Sequence, residues 1–163
     1  MKQQIISVTG RSGSGKTTLI EKLIVHYKSL GKKVSVIKSM RHEFDTDPEG
    51  KDTFRYRESG ASASIITNGK KFALISEISN DENPIELAEK FFSDSDVIII
   101  EGFKEGNQQK IEVIGDSKET PLFHDDKNIK ILVTDKIFNT ELPVFRRDDV
   151  DGVLEAIEKN FNC

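Results

Sequence analysis

This 163-residue chain has no tryptophan, one cysteine, four prolines and no block of basic residues. Each scarcity removes a class of protein. Cys163 is the last residue, so an internal disulfide or a cysteine-rich metal site is excluded, and a reducing, cytoplasmic setting is expected. Nowhere do apolar residues run together for the roughly 18 positions that a spanning helix needs. The stretch Ile5 to Val8 is broken by Ser7 and is too short for a secretory signal. No membrane association is expected. A net charge of -4 and an isoelectric point near 5.5 argue against sequence-independent nucleic-acid binding, which needs a basic face. Internal repeats and low-complexity tracts are also missing.

What remains, 36% hydrophobic and 32% charged residues, suits one globular domain spanning residues 1–163. The apolar share is on the low side for a chain with no partner, which admits a dimer. Its most informative run is Gly10-Arg11-Ser12-Gly13-Ser14-Gly15-Lys16-Thr17, which fits G-x-x-x-x-G-K-[ST] at every defined position. Glycines at 10, 13 and 15 let the backbone wrap an anion. Lys16 supplies a cation for the β- and γ-phosphates, Thr17 a hard oxygen for magnesium, and Ser12, Ser14 and Thr18 further donors. The β-branched run from Gln4 to Thr9 reads as a buried strand. Leu19, Ile20, Leu23, Ile24, Tyr27 and Leu30 share one face of a helix over 17–30, with Gly31 placed to end it. Strand, glycine loop and helix together distinguish a phosphate site from a flexible linker.

Further along, 33–38 reads as a second, parallel strand, followed by a long polar stretch from Ser39 to Lys51. Asp52 is placed to cap a short helix ending at Gly60. Two strands over 63–67 and 72–77 flank Asn68-Gly69, a hairpin signal. Asn83-Pro84 opens another short helix, and 96–100 is an apolar run of the kind buried on both faces of a parallel sheet. Strands over 111–114 and 129–134 and a final helix from Asp148 or Asp149 complete an α/β chain: a mostly parallel twisted sheet flanked by helices, with a peripheral hairpin.

A magnesium-nucleotide site needs an acid at the carboxyl end of a strand beside the loop. Of the acids bracketing the apolar strand, Glu101 stands at that end and Asp96 at the other, so Glu101 is the candidate catalytic and metal residue beside Lys16. The loop after the second strand carries His42, Asp45, Asp47, Lys51 and Asp52, a density of polar groups that suggests contact with magnesium, substrate or a partner. His42, Asp45 and Asp47 are also compatible with a solvated surface. Thr134-Asp135, after a late strand, places Asp135 as a base contact by position.

The chain resembles the molybdopterin-guanine dinucleotide biosynthesis protein B family over nearly its whole length. The likeness is carried by residues 13–19, by Val36-Ile37-Lys38, by His42 through Asp47-Pro48-Glu49-Gly50-Lys51-Asp52 with Gly60-Ala61, and by Glu101-Gly102-Phe103-Lys104 with Lys110-Ile111. It implies a homodimeric, cytoplasmic P-loop protein that binds GTP with Mg2+ and hydrolyses it weakly. Such a protein assists the molybdopterin guanylyltransferase that joins GMP to molybdopterin, and the molybdenum-insertion enzyme. Two departures stand out: Ser39 follows Lys38 where the family often has histidine, and Gln109 stands where it often has proline. No Asn-Lys-x-Asp motif is present, so GTP is implied by resemblance alone. A small-molecule kinase using ATP is the alternative, weakened because 102–145 holds no arginine for a closing lid. An interaction module with a vestigial site is a third reading, poorly supported by intact Lys16, Thr17 and Glu101. For a dimer, the apolar hairpin residues Ile65, Ile66, Phe72, Leu74 and Ile75 are the expected interface.

Overall fold

A computed structural model describes residues 3–40, 42, 44, 49–78 and 82–161. The chain forms two compact units, one of residues 1–40 with 84–163 and one of residues 41–83. The first holds a six-stranded sheet built from β1 (Gln4–Thr9), β2 (Val34–Lys38), β5 (Val97–Glu101), β6 (Lys110–Val113), β7 (Ile129–Val133) and β8 (Val144–Phe145). Their order is β2-β5-β1-β6-β7-β8, and every pairing is parallel. The two-residue β8 gives little sequence signal and escapes periodicity analysis. Helices α1 (Lys16–Ser29), α3 (Pro84–Phe91) and α4 (Val150–Asn160) belong to the same unit.

A parallel sheet must be covered on both faces, and the alternation of β5 shows how. Val97 and Ile99 pack with Ile6 and Val8 against Leu19, Ile20 and Leu23 of α1 and Val153 and Ile157 of α4. Ile98 and Ile100 turn the other way, onto Ala88 of α3, Phe103 and the half-buried Ile85. Leu30, expected on the buried stripe of α1, is instead 57% exposed, because the helix ends at Ser29 and Gly31 reverses the chain with φ 73°. Asp149 caps α4, its carboxylate accepting the Gly152 N–H at 3.0 Å.

The second unit contains α2 (Asp52–Glu58) and the antiparallel pair β3 (Ala63–Thr67) and β4 (Phe72–Ser76). Here one local expectation needs correction. Asp52 is the first helical residue of α2; Lys51 takes the cap position and makes no side-chain cap bond. In the hairpin the reversal falls at Asn68-Gly69 as expected: the Asn68 side-chain oxygen accepts the N–H groups of Lys70 and Lys71, both at 3.1 Å, and Gly69 takes the left-handed turn.

One buried cation organises the chain after β5. Lys110, 1% exposed, directs its Nζ to the carbonyls of Lys104 (2.9 Å) and Gly106 (3.0 Å) and to Oδ2 of Asp126 (2.7 Å), using all three donors. Burial alone would raise the Asp126 pKa, but hydrogen bonds from Lys110 and Asn128 and the lysine's charge bring it below the ordinary value. Replacing Lys110 with alanine strands the carboxylate and both carbonyls. A loss of about 3 kcal/mol in urea unfolding is expected, the low end for a broken buried pair because Asp126 keeps some contact with water. A loss below about 1 kcal/mol, the range of exposed pairs, would refute this role.

Candidate functional site

The site lies at the carboxyl edge of the sheet, where β1 has β5 on one side and β6 on the other. From Thr9 the chain passes through Gly10–Gly15 into α1. Gly10, Gly13 and Gly15 all have positive φ; Gly15, at 99°, occupies the N-cap position of α1, so the turn into the helix uses a backbone conformation that side chains disfavour. Ser14 is 2% exposed, and its hydroxyl has no hydrogen-bond partner among the described residues. Thr17 and Thr18 are exposed on the first helical turn, as is Ser12 in the loop.

Lys16 folds back over the loop, its Nζ donating to the carbonyls of Arg11 (2.9 Å) and Gly10 (3.2 Å). Its pKa is lowered, chiefly by burial; the charge of Glu101 pulls it back up while Lys104 and Lys38 push it down. Glu101 ends β5 in register with Val8 of β1, on the sheet face covered by α1, and the carboxylate is close enough for Lys16 to respond to its field. The structure therefore brings Gly10, Ser12, Gly13, Ser14, Gly15, Lys16, Thr17, Thr18 and Glu101 to one edge.

On the other side of β1, a cleft of about 370 Å³ is lined by Gly15, Thr18, Val133, Asp135, Arg146 and Arg147, among others. Asp135 follows β7 and is held by Arg147, whose Nε donates to Oδ2 at 2.7 Å and whose backbone N–H reaches Oδ1 at 3.4 Å. The Arg147 hydrogen bond keeps the Asp135 carboxyl below the usual carboxylate range, and it stays ionised. Phosphate loop and acidic group thus line one cleft.

The family profile for molybdopterin guanine dinucleotide synthesis protein B, MobB, matches residues 5–135, most of the chain. The chain belongs to the MobB family. A molybdopterin-guanine dinucleotide biosynthesis adapter protein of Haemophilus influenzae is 36% identical over 155 residues, covering 94% of this chain and 87% of that protein. A crystal structure of molybdopterin-guanine biosynthesis protein B superposes with a TM-score of 0.74 at 30% identity, covering 95% of this chain and 97% of the other. The crystal structure of Bacillus subtilis MobB gives 0.71 at 28% identity, covering 94% and 97%. The fold is that of the MobB structures, a P-loop NTPase fold.

Within this MobB chain, His42, Lys51 and Asp52 are exposed residues of the second unit, while Asp45 and Asp47 lie outside the described residues, as does the full His42-Asp45-Asp47 pattern. The contacts of three charged neighbours of the P-loop are not evident from sequence. Arg11 fills a wild-card position of the motif, yet it donates to the Thr120 carbonyl (3.0 Å) and pairs with Glu119 (2.9 Å). Arg147 shows in sequence only as half of an Arg-Arg pair. Glu112, 1% exposed, accepts the N–H groups of Leu122 (2.7 Å) and Phe123 (2.8 Å), capping the short 3-10 turn Leu122–His124. Alternation in β6 gives no hint of that acid facing inward.

Burial pushes the Glu112 carboxyl above its ordinary pKa, against the pull of those two N–H groups and of Arg11 and His124. A carboxyl raised by folding binds its proton more readily in the folded state, so its contribution to stability falls as pH rises from the ordinary glutamate pKa through the higher folded value. The urea midpoint of a Glu112→Gln variant should therefore gain on the wild type as pH rises from the ordinary glutamate pKa toward neutrality. A difference independent of pH over that window would contradict the assignment.

Proposed function

We propose that this MobB protein is an adapter in the synthesis of molybdopterin guanine dinucleotide, binding GTP with Mg2+ in its P-loop and hydrolysing it weakly. The observation that carries the reading is the family match over a chain whose Lys16 and Glu101 stand at the same sheet edge. Its partners are the molybdopterin guanylyltransferase and the molybdenum-insertion enzyme, in the cytoplasm. Phosphates would lie along Gly10 to Thr18, with Lys16 exchanging its two carbonyl partners for phosphoryl oxygens. Thr17 and Glu101 offer the hard oxygens that magnesium takes alongside phosphate. Among the described residues no group of three His, Cys, Asp or Glu side chains could hold a metal, so the ion would be shared with the nucleotide. Asp47 completes the proposed metal set, and His42, Asp45, Lys51 and Asp52 the proposed substrate or partner loop.

Guanine is favoured by Asp135. An ionised carboxylate accepts from the N1–H and 2-amino donors of guanine, whereas the N1 of adenine is itself an acceptor and is repelled. The cleft shared with Gly15 and Thr18 supports this placement of the base.

Thermal unfolding in Mg-GTP and in Mg-ATP tests the reading. At a hundredfold excess over the dissociation constant a ligand adds about 2.7 kcal/mol, a shift of several degrees. GTP should stabilise the wild type in preference to ATP, Lys16→Ala should abolish the shift, and Asp135→Asn should reduce the preference for GTP. An ATP-selective shift would instead favour the kinase, and no shift with either nucleotide the interaction module.

A homodimer through the hairpin is the second part of the proposal. Ile65, Leu74 and Phe72 share one face of the β3–β4 pair and are 60%, 38% and 71% exposed. Ile66, 62% exposed, adds apolar surface on the other face, where Ile75 is half-buried. Two strands alone are marginally stable, and a second copy of the same surface would cover them. Sedimentation should give a dimer for the wild type and a monomer for Ile65→Asp with Phe72→Asp; a wild-type monomer at micromolar concentration would end this part of the proposal.

A further inference from the structure

We infer that Lys38 and Lys104 form, with Lys16, a site for a phosphoryl dianion beside the P-loop, on the opposite side of β1 from Asp135. The inference rests on the P-loop being a nucleotide site. It begins with register. Lys38 and Glu101 are cross-strand partners at the ends of β2 and β5, and Glu101 is in turn the partner of Val8 in β1. Alternation sets their direction: Val34, Val97, Ile99 and Val8 pack on the face covered by α1, while Ile37, Ile98 and Ile100 pack on the other. Lys38 and Glu101 are in phase with the first set, so they stand side by side on the face where α1 begins with Lys16.

Backbone contacts fix this edge. Beyond the strands, the Ser39 N–H donates to the Glu101 carbonyl at 2.8 Å and the Gly102 N–H to the Val8 carbonyl at 3.0 Å. A Cβ on Gly102 would stand 2.6 Å from the Ser39 carbonyl oxygen, a contact that only glycine avoids, so the two segments leave the sheet together. Two residues on, Lys104 has its carbonyl held by the buried Lys110. Lys104 is therefore carried on an anchored turn.

Charge then identifies the ligand class. Lys38 is the cross-strand partner of Glu101, and the charges of Glu101, Lys38 and Lys104 all act on the Lys16 ammonium. Among the described residues Lys38 and Lys104 have no ion-pair partner. Three ammonium groups against one carboxylate leave a positive excess, the sign of charge that a phosphoryl dianion complements. Lysine suits this task, since it recognises phosphate as a compact point charge. The dianion is either the γ-phosphate of the bound nucleotide or a phosphomonoester on a second small molecule.

Calorimetric titration of the full chain separates these sources. Mg2+ with GDP, Mg2+ with a non-hydrolysable GTP analogue, and inorganic phosphate added to the GDP-saturated protein are compared for the wild type, Lys38→Gln and Lys104→Gln. Unliganded melting temperatures check that the variants fold. If the γ-phosphate is the ligand, each variant binds the analogue about tenfold or more weakly while GDP stays within about threefold. If a second molecule supplies the group, analogue binding holds, but the phosphate uptake of the wild-type GDP complex is lost in the variants. Parallel losses for GDP and the analogue, or no change in any titration, would overturn the inference. A wild type that binds no GDP would overturn the P-loop reading, and the inference with it.

Discussion

The parallel pairing of β1 with β5 is the constraint on which the rest of the molecule depends. Five consecutive residues of β1, Gln4 to Val8, meet Val97 to Glu101, and Ile98, Ile99 and Ile100 between them expose nothing to solvent. Because the strands run the same way, the turn after β1 and the acid ending β5 emerge at one edge. One register thus delivers a phosphate loop, a lysine and a carboxylate to the same place. Moving the pairing by one residue would turn Glu101 to the opposite face of the sheet.

Much of this was legible in the residues. The P-loop pattern, the apolar run before Glu101 and the helical spacing of 150–161 each carry strong periodic or motif signals, and each element forms where the pattern puts it. In the hairpin, Asn68-Gly69 marks the reversal, although the asparagine works through its side chain rather than its backbone. Family resemblance added what residues alone do not state, above all the molybdopterin context. Illegible features share one physical cause: they are polar groups whose partners lie far along the chain. Lys110 with Asp126, Glu112 with Leu122 and Phe123, and Arg11 with Thr120 satisfy each other only once folded.

Lys110 and Glu112 sit on β6, and Asp126 on the connection that follows it. Lys110 is held at nearly complete burial because every one of its donors is used, and Glu112 because it satisfies two N–H groups at the start of a 3-10 turn. A core built only of apolar residues would leave those carbonyls and amides without partners. Polar burial here therefore shapes loops, while the aliphatic strands supply most of the cohesion.

The ammonium of Lys16, resting on the carbonyls of Gly10 and Arg11, has a consequence for affinity. It ties the first residue of α1 back to the loop that leads into the helix, so that the loop's winding is held by the chain's own contacts. The conformational entropy of ordering the glycines is then lost during folding rather than at each encounter with ligand. Association becomes an exchange of acceptors at one nitrogen, carbonyl for phosphate, and the strength of binding measures the difference between two sets of contacts.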